Sequence, residues 1–438
     1  MSVLPSDTEP VSRPTFGEAL RFWLKLGFIS FGGPAGQIAI MHAELVERRK
    51  WISEARFLHA LNYCMLLPGP EAQQLAIYSG WLLHKTWGGI VAGTLFVLPS
   101  AFILWGLSWI YVEHGDLPWV AAILHGLKPA VLAIVSSAVL RIGSKALKNG
   151  VLWGIAIAAF AAIFFFKAPF PAILIGAGLI GFAGSFTAWK GKFMVAQPHT
   201  AAADRGIDLA EAGTSPSWTR AVRVTLVCLL LWGAPIAGAG LWLGWDHALV
   251  KEGIFFSKAA MVTFGGAYAV LPYVSQQAVD NFGWLNASQM LDGLGLAETT
   301  PGPLIMVLQF VGFLGGWNQP GSLPPLLAAT LGAAMTTWTT FTPCFFWIFL
   351  GAPHIERLRN HQKLATILPA ITAAVVGVIL NLAVWFGLHL WFPKANQLDW
   401  FSVVLSIAAF VGLTRLKWAM IPVILLSALV GWLHGTLF

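Results

Sequence analysis

Residues 25 to 34 read KLGFISFGGP, and residues 258 to 267 read KAAMVTFGGA, so a lysine precedes the same Phe-Gly-Gly triplet by the same spacing in both. The two stretches are 233 residues apart, and Pro68-Gly69-Pro70 recurs as Pro301-Gly302-Pro303 at the same shift. Shared apolar composition would produce scattered matches, but it would not hold two such motifs in constant register. The sequence therefore predicts two related halves.

The composition indicates that lipid is the main solvent of this chain. Hydrophobic residues make up 57% of it and charged residues only 10%, with a mean hydropathy of +0.73. A helix needs roughly 20 apolar residues to cross a hydrocarbon core, and several runs reach that length: 90 to 111, 118 to 140, 224 to 243 and 364 to 391. Spanning segments of this kind must be helical, because helices satisfy their own backbone hydrogen bonds.

Each half reads as two elements interrupted by helix breakers, followed by four apolar helices. The first half is predicted at 16 to 46, 54 to 84, 87 to 112, 118 to 141, 150 to 166 and 170 to 188. The second is predicted at 250 to 279, 287 to 316, 323 to 350, 364 to 391, 399 to 414 and 416 to 437. We expect an all-α, polytopic integral membrane protein.

The predicted domains are a first repeat at 10 to 189, a polar cytoplasmic linker at 190 to 218, a connecting transmembrane helix at 219 to 245 and a second repeat at 250 to 437. An even number of crossings in each half, plus one connecting helix, predicts that the second repeat is inverted.

Basic residues support this topology. The loop after the first Phe-Gly-Gly carries Arg48, Arg49, Lys50 and Arg56, whereas the equivalent loop of the second half carries none. Lysine and arginine accumulate in cytoplasmic loops, so the first loop is predicted inside and the second outside. The pattern favours re-entrant elements, and broken spanning helices are the alternative. The expected location is the inner membrane, as a multi-pass protein with a cytoplasmic N-terminus.

The Gly/Pro breaks form the predicted binding site. Glycine permits non-helical backbone angles and proline removes a donor, and unwound backbone at membrane depth is tolerated where it is buried or lines a cavity. Helix N-termini beside such breaks bind anions. The alternative is a plain kink with close helix packing. The candidate ligands in and beside the breaks are Ser30, Phe31, Gly32, Gly33, Pro68, Gly69, Pro70, Gln73, Gln74, Thr263, Gly265, Gly266, Pro301, Gly302, Pro303 and Gln309.

Four charged residues near the breaks have two interpretations each. Lys25 and Lys258 lie in apolar surroundings, which makes them candidate anion ligands, but either could instead extend to the headgroups. Glu71 and Glu298 adjoin the two Pro-Gly-Pro motifs and are candidates for proton coupling. An acid in the first turn of a helix, such as Glu71, also complements the helix dipole.

Enzyme signatures are absent from the sequence, which contains no GxxxxGK[ST], HExxH or GxSxG motif. The sequence contains three cysteines, Cys64, Cys228 and Cys344. Their number is odd and their spacing is not that of metal ligands. We expect no cofactor and no metal. The net charge of +7 is spread over short loops, so we expect the lipid bilayer as a partner and no nucleic acid.

The residues that carry a family resemblance are KLGFISFGGP at 25 to 34, Glu44 to Trp51, Pro68-Gly69-Pro70-Glu71, Phe264-Gly-Gly and Thr300-Pro-Gly-Pro303. Together they resemble the chromate ion transporter family in its long, two-domain form. The resemblance implies export of chromate across the bacterial cytoplasmic membrane, with sulfate as the isosteric anion and chromate resistance as the phenotype.

The halves are not identical, since Pro34 corresponds to Ala267 and Glu71 to Leu304. We therefore expect unequal contributions of the two halves to the site. Within transport, the alternative is a carrier of sulfate or another oxyanion, including proton-coupled uptake. From a different class, the alternative is a membrane scaffold or enzyme subunit. A homodimer is compatible with the sequence.

Overall fold

The computed structural model describes residues 14 to 31, 33 to 186, 217 to 264, 266 to 352, 364 to 394 and 397 to 437. These residues are almost entirely helical and contain no strand beyond an isolated bridge between Lys394 and Gln397. The predicted linker lies outside the described residues except for its last two positions, and so do Gly32 and Gly265.

The first half begins with short helices and continues with long ones. Its helices are α1 (Phe16–Ile29), α2 (Gly33–His42), α3 (Glu54–Cys64), α4 (Glu71–His114), α5 (Pro118–Ala146), α6 (Gly150–Phe166) and α7 (Phe170–Gly184). The connecting helix α8 (Trp218–Leu243) follows. Helix α4 is two helices joined at a kink, because His84 and Lys85 have non-helical backbone angles. The kink separates the two elements that the sequence predicts there.

The second half has the same order of elements. Its helices are α9 (Ala248–Met261), α10 (Ala267–Ser275), α11 (Ala287–Thr299), α12 (Val307–Asn318), α13 (Pro325–Gly351), α14 (Leu364–Trp391), α15 (Trp400–Thr414) and α16 (Met420–Leu437). A 3₁₀ turn, Leu304–Met306, leads into α12.

Local structure recurs at the shift of 233 residues. The π-helical turn Ala43–Arg48 extends α2, and the π-helical turn Gln276–Asn281 extends α10. After the first turn, the Trp51 amide donates to the Leu45 carbonyl at 2.8 Å, and after the second, Trp284 donates to Ala278 at 2.8 Å. Similar sequences therefore give the same backbone hydrogen bonds in both halves.

The two π-turn loops differ in charge at one equivalent position. The Arg49 guanidinium lies over the Trp51 ring, 4.8 Å from its centroid, and pairs with Glu44. In the second half Phe282 stacks on Trp284, with the ring centroids 4.4 Å apart. An aromatic ring thus replaces a guanidinium on the equivalent indole, so the packing is kept while the loop loses a positive charge.

Five described helices are long and apolar enough to cross a membrane: Glu71–His114, Pro118–Ala146, Trp218–Leu243, Thr366–Trp391 and Met420–Leu437. The chain is a polytopic helical membrane protein. The halves do not form separate bundles, because α14 packs on α5, α6 and α7, and α15 and α16 pack on α5. At the α5–α16 crossing Gly126 lies against Gly431, which brings the two backbones together. This interleaving draws the short broken elements of both halves toward each other.

Candidate functional site

The four breaks meet through a pair of crossed hydrogen bonds. The Gly69 amide of the first Pro-Gly-Pro donates to the Thr263 carbonyl, which precedes the second Phe-Gly-Gly, at 2.8 Å. Conversely, the Gly302 amide of the second Pro-Gly-Pro donates to the Ser30 carbonyl at 2.7 Å. The two bonds are related by the 233-residue shift, so each half binds the broken helix of the other. We call this meeting point the break cluster.

The two Pro-Gly-Pro glycines are held in a conformation that other residues rarely adopt. Gly69 has φ of +114° and Gly302 has φ of +103°, in the region where L residues meet steric strain. A Cβ on Gly302 would lie 2.5 Å from Ser100 Cβ, and one on Gly69 would lie 3.0 Å from Cys344 Sγ. Both positions therefore require a residue without a side chain.

Two further side chains tie the breaks together. Gln37 on α2 is buried and donates from Nε2 to the Gly302 carbonyl. The Glu71 carboxylate lies beside the second Phe-Gly-Gly, 3.7 Å from the position that a Cβ on Gly266 would take, and Pro34 lies 4.0 Å from the same point. Residues from all four breaks are therefore neighbours.

Three helices begin in the break cluster with amides that precede their first helical hydrogen bond. In α4 the first such bond is donated by Gln74 to Pro70, so the amides of Glu71 to Gln73 come before it. The corresponding first donors are Ala269 in α10 and Met306 in the 3₁₀ turn before α12. Unpaired amides and the positive end of the helix dipole favour an anion. This is the chemistry that the cluster offers to an oxyanion.

The predicted hydroxyl ligands are engaged within their own helices. Ser30 Oγ donates to the Leu26 carbonyl at 2.6 Å, and Thr263 Oγ1 donates to the Ala259 carbonyl at 2.7 Å. A hydroxyl has one proton to donate, so neither group has a free donor in this structure. Both carbonyls of these residues, by contrast, take part in the crossed hydrogen bonds.

The three predicted glutamines are buried around the cluster and donate to backbone carbonyls. Gln74 Nε2 donates to Pro68 at 2.7 Å, Gln309 Nε2 to Ala101 at 2.8 Å, and Gln73 Nε2 to Gly93 at 3.5 Å. Their carbonyl oxygens are buried without a hydrogen-bond partner among the described residues. Leaving a buried acceptor without a hydrogen bond costs free energy. These three carbonyl oxygens are therefore suited to accept a hydrogen bond from water or from a ligand that carries a donor.

The two predicted acids differ in their surroundings. Glu298 is buried and accepts a hydrogen bond from the Tyr268 hydroxyl at 2.6 Å, which joins α11 to the start of α10. Glu71 forms neither a hydrogen bond nor an ion pair with another described residue, although it lies within the break cluster. Of the two, Glu71 is the carboxylate that an anion in the cluster would meet.

The cluster is more accessible on the side of α2 and α3. Ala35 on α2 is exposed, and Met65 at the end of α3 has 57% of its surface exposed. Every residue of α10 is buried, and so is the Pro301-Gly302-Pro303 motif. The part of the cluster contributed by the first half is therefore less buried than the part contributed by the second half.

The structure does not bring Lys25 and Lys258 to the break cluster. Both side chains are exposed on their helices, because α1 and α9 bury the faces that carry Trp23, Leu26 and Phe256 instead. The spacing of seven residues between the lysine and Gly-Gly sets the distance along the chain but not the direction of the side chain.

Sequence reasoning did not single out a buried polar group between α4, α5 and α11. Asp292 is buried, its carboxylate lies 3.4 Å from Lys128 Nζ, and Tyr111 donates to it at 3.0 Å. Lys128 also donates to Ser288 at 2.6 Å. Lysine and aspartate within apolar segments were a signal for this pair. Gln37 and Tyr268 were harder to identify from the sequence as site residues, because neither residue type recurs at the equivalent position of the other half.

Comparison with known proteins gives the family. The chromate transporter family model matches residues 17–182 and 251–432, which correspond to the two halves. A chromate transport protein of Pseudomonas aeruginosa is 32% identical over 436 residues, covering 97% of this chain and 94% of that protein. One from Cupriavidus metallidurans is 27% identical over 421 residues, covering 95% and 92%.

A shorter relative matches only part of the chain. An uncharacterized transporter of Bacillus subtilis, YwrB, is 30% identical over 126 residues, or 29% of this chain and 64% of that transporter. No solved structure matches the chain. With both halves matched by the family model and a relative aligned over nearly its full length, the chain belongs to the chromate transporter family.

Proposed function

We propose that this protein is a secondary carrier that exports chromate across the bacterial cytoplasmic membrane and thereby confers chromate resistance. The observation that carries the proposal is the pair of crossed hydrogen bonds from Gly69 and Gly302, which draws four helix breaks into one cluster. Discontinuous segments at matching places in two halves are typical of transporter binding sites. The family assignment supplies the substrate.

The break cluster suits a tetrahedral oxyanion better than it suits a cation. Helix N-terminal amides at the start of α4, α10 and α12 donate hydrogen bonds, and none of these donors requires a counter-charge. Chromate and sulfate have the same shape and charge, so sulfate is the expected competitor. On this proposal, anion binding rests on backbone amides and not on the exposed Lys25 and Lys258.

The membrane potential favours export. A potential that is negative inside contributes about 2.3 kcal/mol per charge per 100 mV, and therefore about twice that for a dianion. Outward movement of chromate can thus proceed without an ATPase. Uptake would have to overcome the same free energy by cotransport of cations.

The proposed mechanism has two inverted halves that rock about the cluster. With the loop of Arg48 and Arg49 in the cytoplasm, the exposed side of α2 and α3 faces inward, and the buried α10 closes the outer side. Outward opening then requires the Gly69–Thr263 and Gly302–Ser30 contacts to rearrange, because they join the two halves. A re-entrant path for each broken element is part of this proposal.

Proton-coupled sulfate uptake is the second candidate, and the position of Glu71 favours it. A carboxylate at the anion site must be neutral when a dianion binds, because like charges at close range repel. Such a group would carry a proton together with the anion.

A scaffold or enzyme subunit is the weaker alternative, since the full-length relatives are named as transport proteins.

The proposal is tested by measuring chromate content and survival in cells exposed to chromate. Cells expressing the wild type should contain less chromate and survive higher concentrations than vector controls. Variants Gly69→Ala and Gly302→Ala should lose this effect, while the double variant Lys25→Ala, Lys258→Ala should keep it. Equal chromate content in wild-type and vector cells would refute the assignment of export. If the lysine double variant lost this effect while the two glycine variants kept it, the anion site would have to lie at the lysines and not at the breaks.

A further inference from the structure

A buried acid outside the break cluster is not used by the proposed anion site. Glu252 on α9 has none of its surface exposed, and both carboxylate oxygens lack a hydrogen-bond partner among the described residues. The equivalent position of the first half is Ala19. The acid is therefore a feature of the second half alone.

Two glycines make the space for this carboxyl group. A Cβ on Gly315 of α12 would collide with Glu252 Oε1, and a Cβ on Gly332 of α13 would lie 2.9 Å from Oε2. Either glycine with a side chain would displace the carboxyl group. The space between α9, α12 and α13 is thus fitted to a carboxyl side chain.

The same space holds other polar atoms without partners. Thr336 lies against Gly312 on the α12–α13 crossing, and its hydroxyl is buried and unpaired among the described residues. The Thr340 hydroxyl, one helical turn further, and Trp284 Nε1 are also buried and unpaired. The Trp284 ring approaches the same glycine, Gly315, as the carboxylate does. Donors and acceptors are therefore available around Glu252 for water or a proton.

No described charge compensates a Glu252 carboxylate. Helices α10, α12 and α13 contain no Asp, Glu, Lys, Arg or His. Helix α8 contains Arg220 and Arg223 in its first turns, whereas its contact with α9 is made further along, by Ile236 on Gly253. The other charged residues of α9, Lys251 and Lys258, are exposed.

Ionisable groups near the start of α9 lie on the outside of this space. Asp246 is exposed and pairs with Lys251 at 3.8 Å, and Asp280 of the π turn is exposed. His247 caps α9 and contacts the Pro320 carbonyl. Asp246 lies in the turn before α9, and Glu252 follows Ala248, the first residue of the helix, by four residues or about 6 Å of helical rise. The exposed start of α9 is therefore about one helical turn from the buried carboxyl group.

We infer that Glu252 is a proton-binding site whose proton is exchanged with the aqueous phase during each transport cycle. A buried carboxylate without a cation is strongly disfavoured, so the carboxyl group holds a proton while α9, α12 and α13 are closed around it. A metal cation is a poor alternative, because hard cations require about six oxygen ligands. Opening of this crossing exposes the group and releases the proton. The coupling part of this inference rests on the proposed anion transport.

The experiment uses the full-length protein in liposomes that contain a pH-sensitive dye. Two fluxes are measured in each variant: chromate–chromate exchange, which needs no net proton movement, and proton movement driven by a chromate gradient. Wild type should show both. Glu252→Gln should keep exchange and lose proton movement to the level of protein-free liposomes. Glu252→Asp should restore part of the proton movement, and Asp246→Asn, the exposed control on the same helix end, should match wild type.

Infrared difference spectra of the same samples report the proton directly. Wild type and Asp246→Asn should show the stretch of a protonated carboxyl group that is absent from Glu252→Gln. Absence of that band in wild type at every pH would overturn the inference. So would a Glu252→Gln variant that keeps proton movement or that loses exchange. Liposomes in which wild type moves no chromate would instead refute the proposed function, while the band still decides whether Glu252 holds a proton.

Discussion

Substitution of Gly302 by alanine tests whether the crossed breaks are needed in their observed geometry. The residue has φ of +103° and donates to Ser30 at 2.7 Å. A strained φ of this kind costs about 1–3 kcal/mol for a residue with a side chain. The added Cβ would also lie 2.5 Å from Ser100 Cβ and 2.8 Å from Ser100 Oγ, and overpacking of this kind costs about 1–3 kcal/mol. The total is roughly 2–6 kcal/mol.

Two further variants separate these contributions. Ser100→Gly removes the colliding atoms, so the double variant should recover the overpacking part of the loss while the backbone strain remains. Gly106→Ala is the matched control, because a Cβ there meets nothing within 4 Å and the residue lies inside α4. Alanine at that helical position should be neutral or stabilising by up to about 1 kcal/mol.

The assay is thermal unfolding of the purified protein together with chromate flux in liposomes. Gly302→Ala should lower both the unfolding midpoint and the flux, the double variant should recover part of the midpoint, and Gly106→Ala should match wild type. Equal behaviour of Gly302→Ala and Gly106→Ala would mean that neither the φ angle nor the contact with Ser100 constrains the break cluster.

Three other predictions follow from the described contacts. Asp292→Asn should lower the unfolding midpoint, because removing one partner of a buried ion pair costs about 3–5 kcal/mol. The double variant Asp292→Leu, Lys128→Met should be close to wild type in the same measurement. Glu71→Gln should make chromate–chromate exchange, which needs no net proton movement at Glu252, independent of pH, whereas wild-type exchange should fall as pH rises and the Glu71 carboxyl group loses its proton; parallel pH profiles would contradict this. Single cysteines replacing Arg56 and Gln289 should react with an impermeant thiol reagent from opposite sides of the membrane, and labelling from one side would contradict inversion.

Much of the architecture could be predicted from local chemistry. Apolar length gives the long helices, and clustered glycine and proline residues disfavour helix, so the breaks at Phe31 to Gly33 and at Pro68 to Pro70 were predictable without tertiary information. Single prolines such as Pro99 and Pro343 lie inside helices. The equal shift between motifs identified which breaks correspond. The kink at His84 and Lys85 was predictable only as a gap between two elements.

The contacts across the halves were not predictable in the same way. The Gly302–Ser30 bond joins residues that are distant in sequence, and it depends on how α14, α15 and α16 pack on the first half. Gln37 acquires its partner, the Gly302 carbonyl, only through this packing, whereas the Tyr268–Glu298 bond depends on how the elements of the second half fold together. The exposure of Lys25 likewise depends on which face α1 buries against α4.

Chromate flux through the purified protein in liposomes tests most directly whether the protein carries chromate by way of the break cluster. We predict saturable chromate movement with wild type, competition by sulfate, acceleration by a potential that is negative on the side from which chromate leaves, and loss of movement when Gly69 and Gly302 are both alanine. Wild-type liposomes that move chromate no faster than protein-free liposomes would contradict this prediction, as would full flux in the double glycine variant.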